Sequence, residues 1–577
     1  MQTSPHAKHA GLPWISHRTS PARQLQGACK PRCHTDNSPS HLLESLVIRP
    51  VPVASIILSA ALLLSPAMTP ASPARTAQAN AAVVNRSQRP ASSGVWYEIF
   101  VRSFDDSNGD GIGDLNGVTA KLDYLKSLGI SGIWLMPINP SPSYHGYDVT
   151  DYEAINPQYG SMADFQRLLA AAHQRGIKVI IDLVINHTSN RHHWFLAAQH
   201  PHDPHHDWYS WAAPGTDLAA RSAAGDKAWQ ALPDGRHYLG IFSAGMPDLN
   251  YDTPAVRKAM VKVGQFWMRK GVDGFRLDAA RHIYLNFASQ EGDPAVLREN
   301  LAWWQQFMRG VRQVNPHAYV VGEVTENSWQ QLAPWYGALS AVFDFPLATR
   351  LIDAARSEQA GDLASRLQQR YAAFTATAGR PGADATFLSN HDQNRVMSQL
   401  GGNPAHMRMA AAMLLTLPGH PFVYYGEELG MRGVKPDPDL REPMRWQRAT
   451  DAPGETRWKT STAKQGGDVS VAAEQADPDS LLHYYTMLIH WRAQVSALRD
   501  GRIRAVPMPS RHLLAYELED AGSHVLVIHN LSHTAQTIAL GDTHGHRFNA
   551  LLLQSRPGIT LDHGHLRMPA YTTAILR

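Results

Sequence analysis

The chain has 577 residues, 44% hydrophobic and 18% charged, a composition typical of a folded globular protein and not of a disordered or fibrous one. Its formal net charge is only +3, so we expect no nucleic-acid partner. The charge is unevenly placed: residues 1–80 hold seven basic and two acidic side chains, a net charge of +5, and the other residues carry −2. The excess positive charge therefore belongs to the N-terminal region.

Residues 1–80 are predicted to be a leader that carries a secretory signal. Arg49 precedes an apolar run, residues 51–67, and small residues with candidate cleavage sites around Ala79 follow. This order indicates a cleaved signal, whereas a membrane anchor, the alternative, needs a span of ~20 apolar residues. We therefore expect a secreted or periplasmic protein that has no membrane association after cleavage and lacks both cysteines, which precede the run.

From residue 95 onward, short apolar runs alternate with longer amphipathic stretches such as Met162–Arg175 and Pro254–Arg269. Strands that alternate with helices predict parallel βαβ units, and eight of them predict an α/β fold, an eight-stranded parallel β/α barrel of the TIM type. The predicted strands are Val95–Arg102, Ile133–Ile138, Lys178–Val184, Gly274–Asp278, Tyr319–Val324, Ala341–Phe345, Thr386–Asn390 and Phe422–Gly426.

The barrel is predicted to span residues 81–186 and 253–496. The link between its third and fourth strands is too long for one helix, so residues 187–252 are predicted to form a small inserted domain. Residues 497–577 change to short alternating strands, which predict a C-terminal antiparallel β-sandwich. Its strands are expected at Leu513–Leu518, Val525–His529, Thr537–Leu540 and Tyr571–Leu576.

Three carboxylates follow apolar strands of the predicted barrel: Asp278, Glu323 and Asp392. One such acid alone would be a helix cap or a surface ion-pair partner, but three at strand ends are hard to explain as caps. Glycoside hydrolysis uses carboxyl groups that converge on one site, of which one carboxylate stays ionised and another carboxyl group stays protonated. Arg276, two residues before Asp278 on the same strand, points to the same side and can hold that carboxylate ionised.

Four segments together resemble the motifs of glycoside hydrolase family 13, the α-amylase family. They are Asp182-Leu-Val-Ile-Asn-His187, Gly274–His282, Gly322-Glu-Val324 and Asn390-His-Asp392. The resemblance runs from about Val95 to the C-terminus and implies a β/α barrel with an inserted domain after the third strand and a C-terminal sandwich.

The resemblance also implies roles for individual residues. Asp278 would be the nucleophile, Glu323 the general acid/base, and Asp392 the acid that binds sugar hydroxyls and stabilises the distorted ring. Tyr147 is the candidate for stacking on the sugar at the cleavage point. Three histidines would hydrogen-bond the same sugar: His145, His187 and His391.

A loop after the first strand offers oxygen ligands at every second residue: Asp106, Asn108, Asp110, the Ile112 carbonyl and Asp114. The loop begins like an EF-hand but has glycine at the twelfth position, so it is predicted to be a different, structural Ca²⁺ site. A Gly/Asp/Asn turn without metal is the alternative.

The resemblance implies a possible second calcium site between barrel and insert. Its ligands would be Asn186, Asp248 and the carbonyl of His282.

The resemblance leaves several activities open, because the family includes hydrolases, isomerases and transglycosylases. Met246–Asn250 is similar to the fifth motif of a group intermediate between oligo-1,6-glucosidases and neopullulanases. Ala279 stands where oligo-1,6-glucosidases usually carry a β-branched residue. Neopullulanases usually carry a whole extra domain before the barrel, whereas only ~15 residues are expected between the predicted cleavage and the first strand.

We therefore expect an exported, monomeric α-amylase that cleaves internal α-1,4 links of starch or maltodextrins with retention of configuration. The alternatives are an α-glucosidase, an enzyme that also degrades cyclodextrins or pullulan, and, from a different class, a non-catalytic relative.

Overall fold

The computed structural model describes residues 94–577 apart from 463–464 and 466–467. The predicted leader, residues 1–80, lies outside the described residues. Seven strands of the described part form one parallel sheet. In chain order they are β1 Trp96–Ile99, β2 Gly132–Leu135, β3 Lys178–Leu183, β4 Gly274–Leu277, β5 Tyr319–Gly322, β6 Ala341–Val342 and β7 Phe422–Tyr424. Their order in the sheet is β6-β5-β4-β3-β2-β1-β7.

The gap between β6 and β7 is closed by backbone hydrogen bonds of residues 384–386. Ala385 N donates to Val342 O (3.2 Å), and Phe422 N donates to Thr386 O (2.7 Å). The ring of eight parallel segments is thereby completed, and the predicted barrel is confirmed. The predicted strand Thr386–Asn390 is wrong. The single bridge found here pairs Ala385 with Phe343, just before the predicted strand, and the chain then leaves the sheet.

Helices alternate with the strands around the barrel and begin and end at the signals expected of them. The helix after the insert starts with Pro254 and is followed by the capping residue Gly271. The positive φ of Gly271, 103°, is a left-handed conformation that glycine adopts readily. The first predicted strand, Val95–Arg102, is shorter than expected, because a helix begins at Val101.

The α-helices of the described residues are α1 Val101–Phe104, α2 Leu115–Ala120, α3 Leu122–Leu128, α4 Met162–Gln174, α5 His193–Ala198, α6 Pro254–Lys270, α7 Pro294–Arg312, α8 Trp329–Leu332, α9 Phe345–Ser357, α10 Leu363–Ala378, α11 Val396–Gln399, α12 Pro404–Thr416, α13 Asp437–Leu440, α14 Val471–Ala476, α15 Leu481–Gln494 and α16 Ala497–Asp500. Short 3₁₀ turns lie at His206–Trp208, Ala280–Ile283, Ala288–Gln290, Ala333–Gly337 and Glu427–Leu429.

An aromatic layer fills the interior of the barrel. Trp96 stacks on Tyr319 with ring centroids 4.9 Å apart and on Phe422 at 5.7 Å, and Trp134 packs against Phe343 at 5.4 Å. Space is tight: a Cβ on Gly274 would lie 1.6 Å from the Tyr319 carbonyl oxygen. Since side chains of a strand alternate, the next inward positions lie one layer closer to the carboxyl ends of the strands.

The insert and the C-terminal region are built from small antiparallel sheets. In the insert, strands Trp229–Ala231 and His237–Leu239 pair, and the bridge between His187 and Asp248 joins its two ends. The strands of the C-terminal region are β8 Arg502–Ala505, β9 Leu513–Glu519, β10 His524–Asn530, β11 Gln536–Ala539, β12 Leu551–Gln554, β13 Thr560–Asp562, β14 His565–Met568 and β15 Thr572–Leu576. They form a five-stranded sheet in the order β8-β9-β10-β15-β12 and a three-stranded sheet in the order β11-β14-β13, as predicted for a sandwich.

None of the helices in the described ranges has both the length and the hydropathy that are needed to cross a membrane.

Candidate active site

Arg276 is the centre of a charge cluster above the aromatic layer. Its guanidinium is fully buried, and Nη1 donates to Asp182 Oδ1 (2.9 Å) and to Asp278 Oδ1 (2.6 Å). Its Nη2 lies 2.9 Å from Glu323 Oε2. The three carboxylates come from the ends of β3, β4 and β5, and therefore one buried cation holds three strands' acids at the C-terminal face of the barrel.

Burial raises the pKa of each acid in this cluster, and Arg276 opposes the rise. The pKa of Asp182 rises to about 7. The negative charge of Asp392 raises the pKa of both Asp278 and Glu323, and each acid accepts a hydrogen bond that lowers its pKa, from Arg276 and from Ala279 N–H respectively. The charge of Asp278 also raises the pKa of Glu323, so an ionised Asp278 favours a proton on Glu323.

Asp392 belongs to a second chain of charges, which faces the charge cluster around Arg276. Its Oδ2 lies 3.0 Å from His391 Nε2, its Oδ1 accepts from Arg441 Nη2 (2.7 Å), and His391 Nδ1 lies 2.5 Å from Glu98 Oε1. Burial alone would raise the pKa of Asp392, but His391, Arg441 and Arg276 hold it well below its usual range. Asp392 is therefore ionised, and 32% exposure of its side chain makes it accessible from the cleft.

The surroundings of His391 favour its protonated form. Burial opposes its charge, but Asp392 and Glu98 raise its pKa to about 9. The imidazolium therefore uses both ring nitrogens as donors, with a carboxylate on each side.

Tyr147, His145 and His187 lie beside these charges. Tyr147 Oη lies 2.6 Å from His391 Nε2 and donates to Asp182 Oδ2 (3.1 Å), and its ring stacks on the His391 ring. The His145 ring also stacks on Tyr147, with ring centroids 6.0 Å apart. His187 Nε2 lies 3.0 Å from the Tyr147 carbonyl oxygen, and burial lowers the pKa of His187 to about 4. The structure thus brings these predicted substrate-binding residues to one site.

Ala279 has a left-handed backbone (φ 47°, ψ 39°), which is uncommon for a residue other than glycine. This conformation directs its N–H to Glu323 Oε2, at 2.9 Å. The residue after Asp278 is thus a positioning group for Glu323, and Oε1 is the oxygen of Glu323 that is left to carry a proton.

Three contributing residues were not predicted: Glu98, Asp182 as a member of the cluster, and Arg441. Glu98 and Asp182 carry a detectable signal, because each is an ionisable residue inside an otherwise apolar barrel strand. Arg441 follows the short helix α13 in the connection after β7, and its sequence context contains no signal that places it beside Asp392.

The aspartates of the predicted calcium loop accept hydrogen bonds from the loop's own backbone. Asp106 accepts from Gly109 N and Gly111 N, both at 2.7 Å, and Asp110 Oδ1 accepts from Ile112 N (2.8 Å). No three His, Cys, Asp or Glu side chains within the described ranges form a group that could hold a metal. An ion here would therefore also need the Asn108 amide and the Ile112 carbonyl, and such an all-oxygen set fits Ca²⁺.

The predicted second calcium site contains a buried carboxylate with neutral partners. Asp248 Oδ1 accepts from Asn186 Nδ2 (3.0 Å), and its Oδ2 accepts from Ile241 N (2.9 Å). The His282 ring is buried, with Nδ1 3.1 Å from the Leu285 carbonyl oxygen. A cation would require Asn186 to turn its amide oxygen toward the ion, so the residues fit this site less well than the loop.

A β/α barrel with buried carboxylates at the carboxyl ends of its strands is the arrangement found in glycoside hydrolases. The sequence model of the α-amylase catalytic domain matches residues 98–501, and that of the C-terminal domain of the α-amylase SusG matches residues 513–575. α-Amylase 3 of Dictyoglomus thermophilum is 41% identical over 445 residues, which cover 77% of this chain and 85% of the relative.

Two further proteins extend the comparison. A 4-α-glucanotransferase of Thermotoga neapolitana is 34% identical over 447 residues, 76% of this chain and 96% of the relative. The crystal structure of α-amylase from H. orenii has a TM-score of 0.76 and 42% identity, and covers 84% of this chain and 99% of its own. The chain belongs to the α-amylase family, glycoside hydrolase family 13, and its relatives include hydrolases and glycosyl transferases that act on α-glucans.

The charge on His391 predicts a pH-dependent stability. Because its folded-state pKa of about 9 exceeds its ordinary value of 6.5, the stabilisation is complete below pH 6.5 and is lost as the pH rises through 9. Over that window the free energy of unfolding should fall by up to about 3 kcal/mol. His391→Gln should remove this dependence in urea unfolding, and the exposed His317→Gln should keep it. An unchanged pH profile in His391→Gln contradicts the assignment.

Proposed function

We propose that the protein is a retaining, endo-acting α-1,4-glucan hydrolase, an α-amylase for starch or maltodextrins. The observation that carries the proposal is the single Arg276 guanidinium shared by Asp278 and Glu323 at the ends of adjacent strands. Arg276 lowers the pKa of both acids, and the charge of Asp278 in turn favours a proton on Glu323. One ionised and one protonated carboxyl group in one site are the pair that retaining hydrolysis needs.

In the first step, Asp278 attacks the anomeric carbon while Glu323 gives its proton to the departing glycosidic oxygen. The new carboxylate–carbon bond forms as the glycosidic carbon–oxygen bond breaks. Oδ1 of Asp278 accepts from Arg276, so Oδ2 is the attacking oxygen. Oε2 of Glu323 accepts from Ala279 N–H, so the transferred proton leaves from Oε1.

In the second step, water attacks the same carbon, Glu323 takes its proton, and Asp278 leaves as a carboxylate. Two displacements at one carbon retain its configuration. Asp392, held ionised by His391 and Arg441, accepts hydrogen bonds from sugar hydroxyls and stabilises the distorted ring. Tyr147 offers a partly exposed ring beside these acids for the apolar face of the sugar.

A specific observation supports a second candidate, glycosyl transfer. The relative from T. neapolitana carries the name 4-α-glucanotransferase and aligns over 96% of its length. In a transferase, a second sugar hydroxyl replaces water in the second step, and the carboxylates need no change. An α-glucosidase or a cyclodextrin- or pullulan-degrading enzyme is also compatible with the same carboxylates.

Substitution of the two acids tests the roles. Glu323→Gln should lower kcat about 10²–10⁴-fold, since this is the usual contribution of acid–base catalysis, and Asp278→Asn should lower it at least as much. Glu326→Gln is a matched control three residues away and should stay within about threefold, because nothing in the mechanism assigns it a proton. Substantial hydrolysis by Asp278→Asn would mean that it is not the nucleophile.

The product profile decides between the activities. From starch, we expect a mixed ladder of oligosaccharides in the first minutes, and ¹H NMR should show the α-anomer first. Glucose alone from the start would favour an α-glucosidase. Products longer than maltotriose from maltotriose would favour the transferase, and rapid opening of cyclodextrin or pullulan would favour a broader enzyme.

We propose that Ca²⁺ stabilises the loop formed by Asp106, Asn108, Asp110, Ile112 and Asp114, with a second, weaker ion at Asn186, Asp248 and the carbonyl of His282. EDTA should lower the melting temperature, and Ca²⁺ should restore it. Asp110→Ala should remove most of this response, because it deletes an exposed ligand without a core contact. Asp248→Asn should remove a smaller part. A melting temperature that EDTA leaves unchanged would exclude both ions.

We further propose that the protein is exported and acts as a monomer without its first 80 or so residues. The order of charge, apolar run and small residues in the leader supports export. N-terminal sequencing of the secreted protein should begin near Ala79 to Ala81, whereas a cell-associated protein that begins at Met1 would contradict the proposal.

A further inference from the structure

A cavity of about 210 Å³ lies at the opposite end of the barrel from the carboxylates. It is lined by Arg312 at the end of α7, residues 336–340 before β6, residues 377–378 at the end of α10, and Arg380. These segments precede β5, β6 or the closing residues 384–386, so the cavity, called the basic pocket below, faces the amino ends of the strands.

The basic pocket has two positive charges and no acidic residue in its lining. The side chain of Arg312, an exposed residue, makes no hydrogen bond or ion pair with any residue that the structure describes. The single side-chain hydrogen bond found there for Arg380 runs from Nη2 to the Ser340 carbonyl oxygen (2.7 Å). Asp384 lies behind the wall, where it accepts from Tyr336 Oη (2.6 Å) and faces Arg370.

The charges of the two arginines act on one another. Burial and the charge of Arg380 lower the pKa of Arg312, as expected for two guanidinium groups that approach each other without a carboxylate between them. Arg312 is in the last turn of α7, where a cation is favourable at the negative end of the helix. Arg380 lies outside any helix, so the helix alone does not account for the pair.

We propose that the basic pocket binds a small oxyanion of the phosphate type. Guanidinium groups present forked N–H donors that match the oxygens of such an anion, and the charge-assisted hydrogen bonds are stronger than neutral ones. The volume limits the ligand: about 210 Å³ lies below the usual 300–1,000 Å³ of pockets for larger organic molecules. The bound anion would join α7 to the segment before the closing residues of the barrel.

Calorimetric titration of the purified enzyme with inorganic phosphate, at constant ionic strength in sodium chloride, tests the proposal. We expect saturable binding and a phosphate-dependent rise of the melting temperature. Arg312→Gln and Arg380→Gln should each raise the Kd at least tenfold. Arg309→Gln, another exposed arginine in the last turn of α7, should leave it unchanged.

A second titration, with glucose 6-phosphate, identifies the source of the anion. Binding as tight as that of phosphate supports a phosphate monoester as ligand, and weaker binding supports the free anion. Absence of saturable phosphate binding, or equal weakening by Arg309→Gln, would overturn the proposal. Starch hydrolysis by Arg312→Gln should equal that of the unchanged enzyme, so the outcome is independent of the proposed catalytic function.

Discussion

A buried guanidinium in the middle of a barrel is the constraint on which the rest of this structure depends. Arg276 has no exposed side-chain surface, and moving such an ion out of water carries a penalty of several kcal/mol unless carboxylates and hydrogen bonds replace the water. Asp182, Asp278 and Glu323 provide that replacement, each from a different strand. Correct pairing of β3, β4 and β5 is therefore a condition for neutralising the charge as well as for building the sheet.

The second chain of charges gives the site its asymmetry. Glu98, His391, Asp392 and Arg441 alternate in sign, and they join β1 to two connections that carry no strand of their own. A carboxylate between two cations stays ionised, whereas carboxylates that must share one cation compete for it. The two arrangements push the pKa values of Asp392 and Glu323 in opposite directions, and such a separation is what allows neighbouring acids to take different roles.

The sequence predicts most of the barrel because its strands are apolar runs and its helices have clear start and stop signals. It predicts the three acids because each follows such a run. It does not predict the contact of Arg441 with Asp392, which is 49 residues away along the chain. It also overestimates the segment 386–390, where apolar Phe387 and Leu388 resemble a strand although the chain bends away so that His391 can reach Glu98. Both failures concern long-range ion pairs, which leave no periodic pattern.

In the proposed mechanism the carboxylates account for bond cleavage but not for the fate of the intermediate, since hydrolysis and transfer use the same acids. That fate depends on whether water or a second sugar reaches the anomeric carbon. The insert is placed to influence this choice, because His187 at its start contacts Tyr147, and Phe242 within it packs against both His187 and His282. A change in the insert would thus move groups beside the acids while Arg276 keeps the acids in place. Specificity can vary in the loops because the charge balance is fixed in the barrel.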